Sequence, residues 1–176
     1  MKIERVWAMP NSATFLIKPI RLLLKEEMNN GQWIDPFAGE NSPASIRNDL
    51  NPQIKNVEFH KNAIDFLRLF SDGSVDGVIL DPPYSPRQVS ECYKGFGKKV
   101  NWEDTLGVWR SWVRNEVARI THTESKIISF GWNSCGIGKT RGFEITRILL
   151  ICHGQTHNDT IVTVEIKKSQ QQHMKL

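Results

Sequence analysis

Val75-Asp76-Gly77-Val78-Ile79-Leu80-Asp81-Pro82-Pro83-Tyr84 is the stretch on which the fold turns. Its apolar first half reads as a parallel strand covered on both faces. The paired prolines end that strand and hold the chain extended. Asp81, the Pro82 carbonyl, Pro83 and the Tyr84 ring therefore emerge together at a strand's carboxyl end, the edge of an open α/β sheet where ligands bind. A carboxylate and a carbonyl side by side accept both hydrogens of one amino group. Two such bonds draw the amino nitrogen out of ring conjugation, while an aromatic ring such as Tyr84 stacks on the flat ring that carries it. The plain alternative is an Asp-Pro turn with a tyrosine in the core.

Working outward, Trp33-Ile34-Asp35-Pro36-Phe37-Ala38-Gly39 reads as a second strand running into a tight turn. Asp35 stands where that strand stops, and Gly39 permits close backbone approach. Residues 45–50 form the next expected strand, ending at Asp49, an acid suited to the two hydroxyls of a ribose. Residues 55–60 read as a further short strand and 63–70 as a helix. The apolar pattern from Phe15 to Leu24 is helical, with Pro19 breaking it or starting a new turn and residues 29–31 ending it. Residues 108–120 form a helix whose tryptophans are expected in the core. Lys126 to Phe130 is a strand opening into Trp132 and Asn133 at the same carboxyl edge. Residues 143–152 and 160–166 make a terminal antiparallel hairpin. The expected architecture is α/β, a mostly parallel doubly wound sheet ending in an antiparallel hairpin. Residues 1–166 make one domain, followed by a polar tail over 167–176.

Residues 85–106 are expected to be the least regular part, a substrate-binding loop. Arg87, Lys94 and Lys98 alternate there with Tyr93, Phe96 and Trp102, as suits phosphates and unstacked bases. A solvated loop with a few tucked rings is the competing description.

The 176 residues carry a formal charge of +4, which permits a polyanionic partner without requiring one. Three scattered cysteines imply no disulfide framework. Cys152, His153 and His157 read as a strand end and a turn rather than a zinc site, so no metal is expected. No run reaches membrane-spanning length, and a reduced cytoplasmic setting is the default.

With these residues in place, the chain resembles the S-adenosylmethionine-dependent amino methyltransferases, in particular the DNA adenine-N6 branch of phages and restriction-modification systems. Asp81-Pro82-Pro83-Tyr84 is like that family's catalytic signature and Asp35-Pro36-Phe37-Ala38-Gly39 like its cofactor-binding turn. The resemblance implies a Rossmann-like class I methyltransferase fold, with S-adenosyl-L-methionine as cofactor and nucleic acid, DNA first, as partner. It implies that Phe37, Gly39 and Asn41 line the methionine end of the cofactor. Asp49 holds the ribose, Leu50 packs on the adenine, and Asn62 stands where the family has an acid that reads the adenine. Thr14 and Phe15 stand where an N-terminal segment meets the methionine carboxylate. The family's second glycine is replaced, the turn running on into Glu40-Asn41. The family's cytosine-N4 members have Ser at the position of Asp81, which favours adenine. RNA adenine, cytosine N4, and binding without turnover remain the alternatives. A dimer would supply a recognition surface that so short a chain lacks.

Overall fold

A computed structural model describes residues 1–11, 13–28, 30–101, 107–154 and 157–169. Trp102, Asn29 of the expected helix stop and all but the first three residues of the expected tail lie outside these. Among the described residues one sheet of seven strands organises the chain. They are β1 (Lys2–Trp7), β2 (Trp33–Asp35), β3 (Ile46–Arg47), β4 (Val75–Leu80), β5 (Thr121–Gly131), β6 (Phe143–Cys152) and β7 (Thr160–Lys167). Their order across the sheet is β1-β6-β7-β5-β4-β2-β3. Pairs β2/β3, β2/β4, β4/β5 and β1/β6 are parallel; β7 runs antiparallel between β5 and β6. The mostly parallel doubly wound sheet with an antiparallel end is thus the observed fold.

β4 lies inside the sheet, and Val75, Val78, Ile79 and Leu80 are buried, as expected of a strand covered on both faces. Beside it, the Trp33 ring of β2 lies over Gly77, its register partner. A side chain at 77 would occupy that ring's place. The α-helices among the described residues are α1 (Lys18–Glu27), α2 (Ala63–Leu67), α3 (Pro86–Gly95) and α4 (Val108–Ile120). Pro19 starts α1 instead of breaking it, sitting in the first turn where no amide donor is needed. Ile20, Leu23 and Leu24 of α1 join Ile79, Ile128, Leu149 and Val164 in one core cluster. Val113, Val117 and Ile120 of α4 join Phe66, Val78 and Ile127 in the other.

Residues 2–7 form a strand beyond those expected; β1 pairs along its length with β6. Two expectations need correction. Residues 55–60 form no strand beyond a bridge between Asn48 and Phe59. There the Glu58 carboxylate takes the Arg47 N–H at 2.6 Å, replacing a ladder bond with a side chain. Residues 86–95, expected to be irregular, are helical. Ser85 caps them, its Oγ accepting the Gln88 N–H at 3.2 Å, and Pro86 fills the first turn. The last strand also runs through Lys167, whose Nζ donates to the carbonyls of Ala118 at 2.6 Å and Thr121 at 2.5 Å. No described helix is long and apolar enough to cross a membrane.

Candidate active site

The carboxyl ends of β2, β3, β4 and β5 converge on two cavities of about 550 and 330 Å3. Pro82, Pro83 and Tyr84 line both, as do Phe37 and Trp109. Asp81 lines the larger cavity. The turn that ends β4 is thus a shared wall.

The larger cavity is built on loops that a buried network fixes. Asp35 is fully buried; its Oδ1 accepts the Phe37 N–H at 2.8 Å and its Oδ2 the Ser42 hydroxyl at 2.6 Å. Gly39, at φ +54°, donates its N–H to Asp49 Oδ2 at 2.9 Å. Asp49 Oδ1 accepts the Asn51 N–H at 2.8 Å. Asn48, also fully buried, ties the two rims of the cavity together. Its Nδ2 donates to the carbonyls of Pro36 at 3.1 Å and Lys61 at 3.0 Å, and its Oδ1 accepts the Lys61 N–H at 2.8 Å. Asn62 caps α2, its Oδ1 accepting the Ile64 N–H at 2.9 Å, which leaves its amide nitrogen for a ligand.

Electrostatics follow from burial and crowding. Burial, then the charges of Asp81 and Asp49, pushes the Asp35 carboxyl up to about 7, against the pull of Ser42 and the Phe37 amide. Burial also raises the Asp81 carboxyl, opposed by hydrogen bonding from the Tyr84 and Thr14 hydroxyls. Tyr84 is itself raised by burial and by the Asp81 charge, so its hydroxyl remains a donor. Its ring packs edge-on against Trp132 at 5.6 Å, its backbone N–H donates to Gln88 Oε1 at 2.6 Å, and Arg110 Nη2 donates to the Pro83 carbonyl at 3.1 Å. The strand-ending turn is therefore gripped from three sides.

Of the residues expected at the site, Thr14, Phe37, Asp49, Leu50 and Asn62 line the larger cavity with Asp81 and Tyr93. Trp132 and Asn133 line the smaller one. Asp35 lies beneath the larger cavity as its organiser. Gly39 stands behind Asp49, and Asn41 is exposed away from either lining. Phe15 is in the core, edge-on to Phe130 at 5.6 Å. Arg87 lies outside both linings, paired with Glu91 of the larger cavity's rim at 2.7 Å, and Lys94 is exposed. Lys98 sits over the Tyr93 ring at 4.7 Å. Sequence reasoning passed over Asn48, Gln88, Arg110 and the two tryptophans of α4. Trp109 lines both cavities, and Trp112, 53% exposed, lines the larger. An i, i+3 tryptophan pair reads as a core stripe, and nothing in the periodicity tells a core face from a cavity face.

No protein-family model and no curated protein matches the chain. Solved structures do. The proposed methyltransferase yhhF of Escherichia coli superposes with a TM-score of 0.54 at 14% identity, over 92% of this chain and 91% of that one. The proposed methylase HI0767 of Haemophilus influenzae gives 0.52 at 10% identity, over 86% and 88%. TrmN of Thermus thermophilus gives 0.53 at 14% identity, over 86% of this chain and 49% of TrmN, about half its length. These likenesses define the fold class: the chain has the Rossmann-like fold of the class I methyltransferases.

The larger cavity fits the S-adenosylmethionine that the sequence resemblance implies. Each Asp49 oxygen holds one backbone N–H and keeps a lone pair for a ribose hydroxyl. Leu50 and Ile64 offer apolar walls beside the Asn62 amide, as an adenine edge requires. A Cβ built at Gly39 meets nothing within 4 Å, so space is open beside that turn.

Proposed function

We propose that this chain transfers a methyl group from S-adenosylmethionine to the N6 amino group of adenine in nucleic acid, DNA in the first instance. One observation carries the reading: Pro82, Pro83 and Tyr84 form a wall shared by the larger cavity, which Asp81 also lines, and a second cavity of about 330 Å3, at the lower end of ligand-pocket sizes. Fold neighbours described as methyltransferases support methyl transfer in general. Adenine and DNA rest on the Asp81 corner and the resemblance it carries.

Bound in the larger cavity, the cofactor supplies an electrophilic methyl on a sulfonium. Asp81 and the Pro82 carbonyl accept the two amine hydrogens, turn the nitrogen lone pair out of the ring and align it for in-line attack. The Asp81 carboxylate also meets the positive charge that develops on that nitrogen. The surplus proton leaves to water once the nitrogen carries the methyl. In a duplex, taking the base out of the stack costs a few kcal/mol. Aromatic stacking worth about 1–3 kcal/mol per base offsets part of this; Tyr84 and Trp132 are among the rings that line the smaller cavity, with Phe37, Trp109 and Phe130.

Incubation with methyl-labelled cofactor and mixed-sequence DNA, followed by digestion to nucleosides, tests the reading. The label is expected in N6-methyladenine, and Asp81→Ala is expected to lower the rate by about 10²–10³-fold. Label in N4-methylcytosine or in RNA alone redirects the substrate. Absence of label, or label indifferent to Asp81→Ala, removes the assignment.

A further inference from the structure

Of the six partly buried arginines among the described residues, three are neutralised by carboxylates. Arg47 pairs with Glu58, Arg119 with Asp72 and Glu116, and Arg147 with Glu4, Glu26 and Glu27. Arg141 donates to neutral oxygens of Asn115, Ser111 and Ile137 on the protein's own surface. Arg110 and Arg114 differ. Both are partly buried, both line the smaller cavity, and among the described residues neither has a carboxylate within ion-pair distance. Glu165 is close enough to feel the Arg114 charge but not within ion-pair distance of it, and its two oxygens accept the Ile137 N–H at 2.6 Å and the Gly138 N–H at 3.0 Å.

Arg110 and Arg114 are also four residues apart on α4, so their side chains are neighbours on one helix face. Like charges at that spacing are destabilising. Burial and the Arg114 charge together lower the Arg110 pKa, the mark of a cation held without compensation. A fold that retains two repelling guanidinia against a cavity wall leaves room for an anion between them. Arg110 spends one N–H on the Pro83 carbonyl at 3.1 Å and stacks over Trp109 at 5.2 Å, which fixes its plane. Its remaining donors, with the five of Arg114, have the fork geometry that matches phosphate oxygens.

We propose that Arg110 and Arg114 form an anion site in the smaller cavity that takes a phosphate of the target nucleotide. The inference rests on reading that cavity as the seat of the target base. It adds that the base is not recognised alone: the enzyme holds the nucleotide by its phosphate on α4 and by its ring near Tyr84 and Trp132. Phosphate contact positions and does not specify, so the pair sets affinity across sequences. The phosphate belongs either to a polynucleotide backbone or to a mononucleotide, and binding separates the two.

The measurement is binding of a short single-stranded oligonucleotide, of adenosine monophosphate and of inorganic phosphate to the full chain, followed by tryptophan fluorescence at several salt concentrations. Arg114→Gln is the informative variant, because Arg110 also supports Pro83. For the oligonucleotide, Arg114→Gln is expected to cost about tenfold in affinity at low salt, equally for adenine-containing and adenine-free strands. The slope of log affinity on log salt is expected to shrink by about 0.7, one single-strand phosphate contact. Arg114→Lys keeps the charge and is expected to keep the slope, which a merely structural role for Arg114 would not predict. If adenosine monophosphate binds in an Arg114-dependent way and the strand does not, the anion site stands and the polynucleotide substrate falls. Wild-type affinity and slope in Arg114→Gln overturn the site, and leave the methyl-transfer reading standing if labelled product still forms. Failure of all three ligands to bind the wild-type chain at low salt overturns the site as well.

Discussion

The Tyr84 hydroxyl donates a hydrogen bond to Asp81 Oδ1, closing a turn in which two prolines stand between the two residues. The bond stabilises the ionised carboxylate, and with Thr14 it works against the rise that burial imposes. Removing it in Tyr84→Phe is expected to raise the Asp81 pKa further. The amine-accepting form of Asp81 is the charged one, so the acid limb of any Asp81-dependent activity moves to higher pH. Carboxyl-carbon NMR titration of Asp81 in wild type and Tyr84→Phe measures this directly. A pKa that stays put or falls contradicts the account.

Asp35 gives a stability prediction that needs no substrate. Its folded pKa is about 7 against a free value of 3.8. Between those values the folded chain keeps a proton that the unfolded chain has lost. Stability from this group is therefore full below about pH 4 and is lost as pH rises through about 7, at most about 1.4 kcal/mol per pH unit. Asp35→Asn can still accept the Phe37 N–H and can donate to Ser42 without titrating. Urea unfolding of both proteins from pH 4 to 8 is expected to show the wild-type-minus-variant difference falling with pH. A flat difference contradicts the shift.

Asn48 predicts that stability and cofactor binding change together. Asn48→Ala leaves the Lys61 N–H and the Pro36 and Lys61 carbonyls without their partner. The buried Pro36 carbonyl alone costs about 1–3 kcal/mol. The same bonds hold the Pro36-Phe37 turn against the segment that ends at Asn62, so the variant is expected to bind S-adenosylmethionine more weakly. Chemical denaturation and calorimetry read the two effects. A neutral variant in both removes Asn48 from the scaffold of the site.

Gly77→Ala tests the packing under the site. A Cβ there would stand 2.4 Å from Cδ2 and 2.5 Å from Cε2 and Cε3 of the buried Trp33 ring. Overpacking of this kind costs about 1–3 kcal/mol. Trp33→Leu removes the obstructing ring and is itself destabilising, so the double variant is expected to be more stable than the sum of the single effects. Additive losses in thermal melting contradict a direct clash.

What the sequence disclosed was whatever its neighbours along the chain determine. The corner from Asp81 to Tyr84 was legible as a strand end because strand and stop occupy ten consecutive residues. The β6/β7 hairpin was legible from two β-rich runs around one turn. Ser85-Pro86-Arg87-Gln88 is a readable helix start, outweighed by Gly95 and Gly97 farther along. Asn48 was not legible, because its role is to join Pro36 to Lys61, two segments that meet only in the fold. Phe15 and Arg87 show the same limit from the other side. Each stands at a plausible position along the chain, yet one is packed against Phe130 and the other lies outside both cavity linings, paired with Glu91.

Arg147 joins β6 to Glu4 on β1 and to Glu26 and Glu27 at the end of α1, across as many as 143 residues of chain. A ribosome releases those three glutamates long before it releases the guanidinium they surround. Until then β1 has no strand to lie against, while Glu4 keeps Lys2 and Glu27 keeps Lys126 as partners. Closing so large a loop is slow. The opening segment of the polypeptide is thus seated only after β6 has emerged, and a chain cut short before β6 lacks the guanidinium that ties Glu4, Glu26 and Glu27 together.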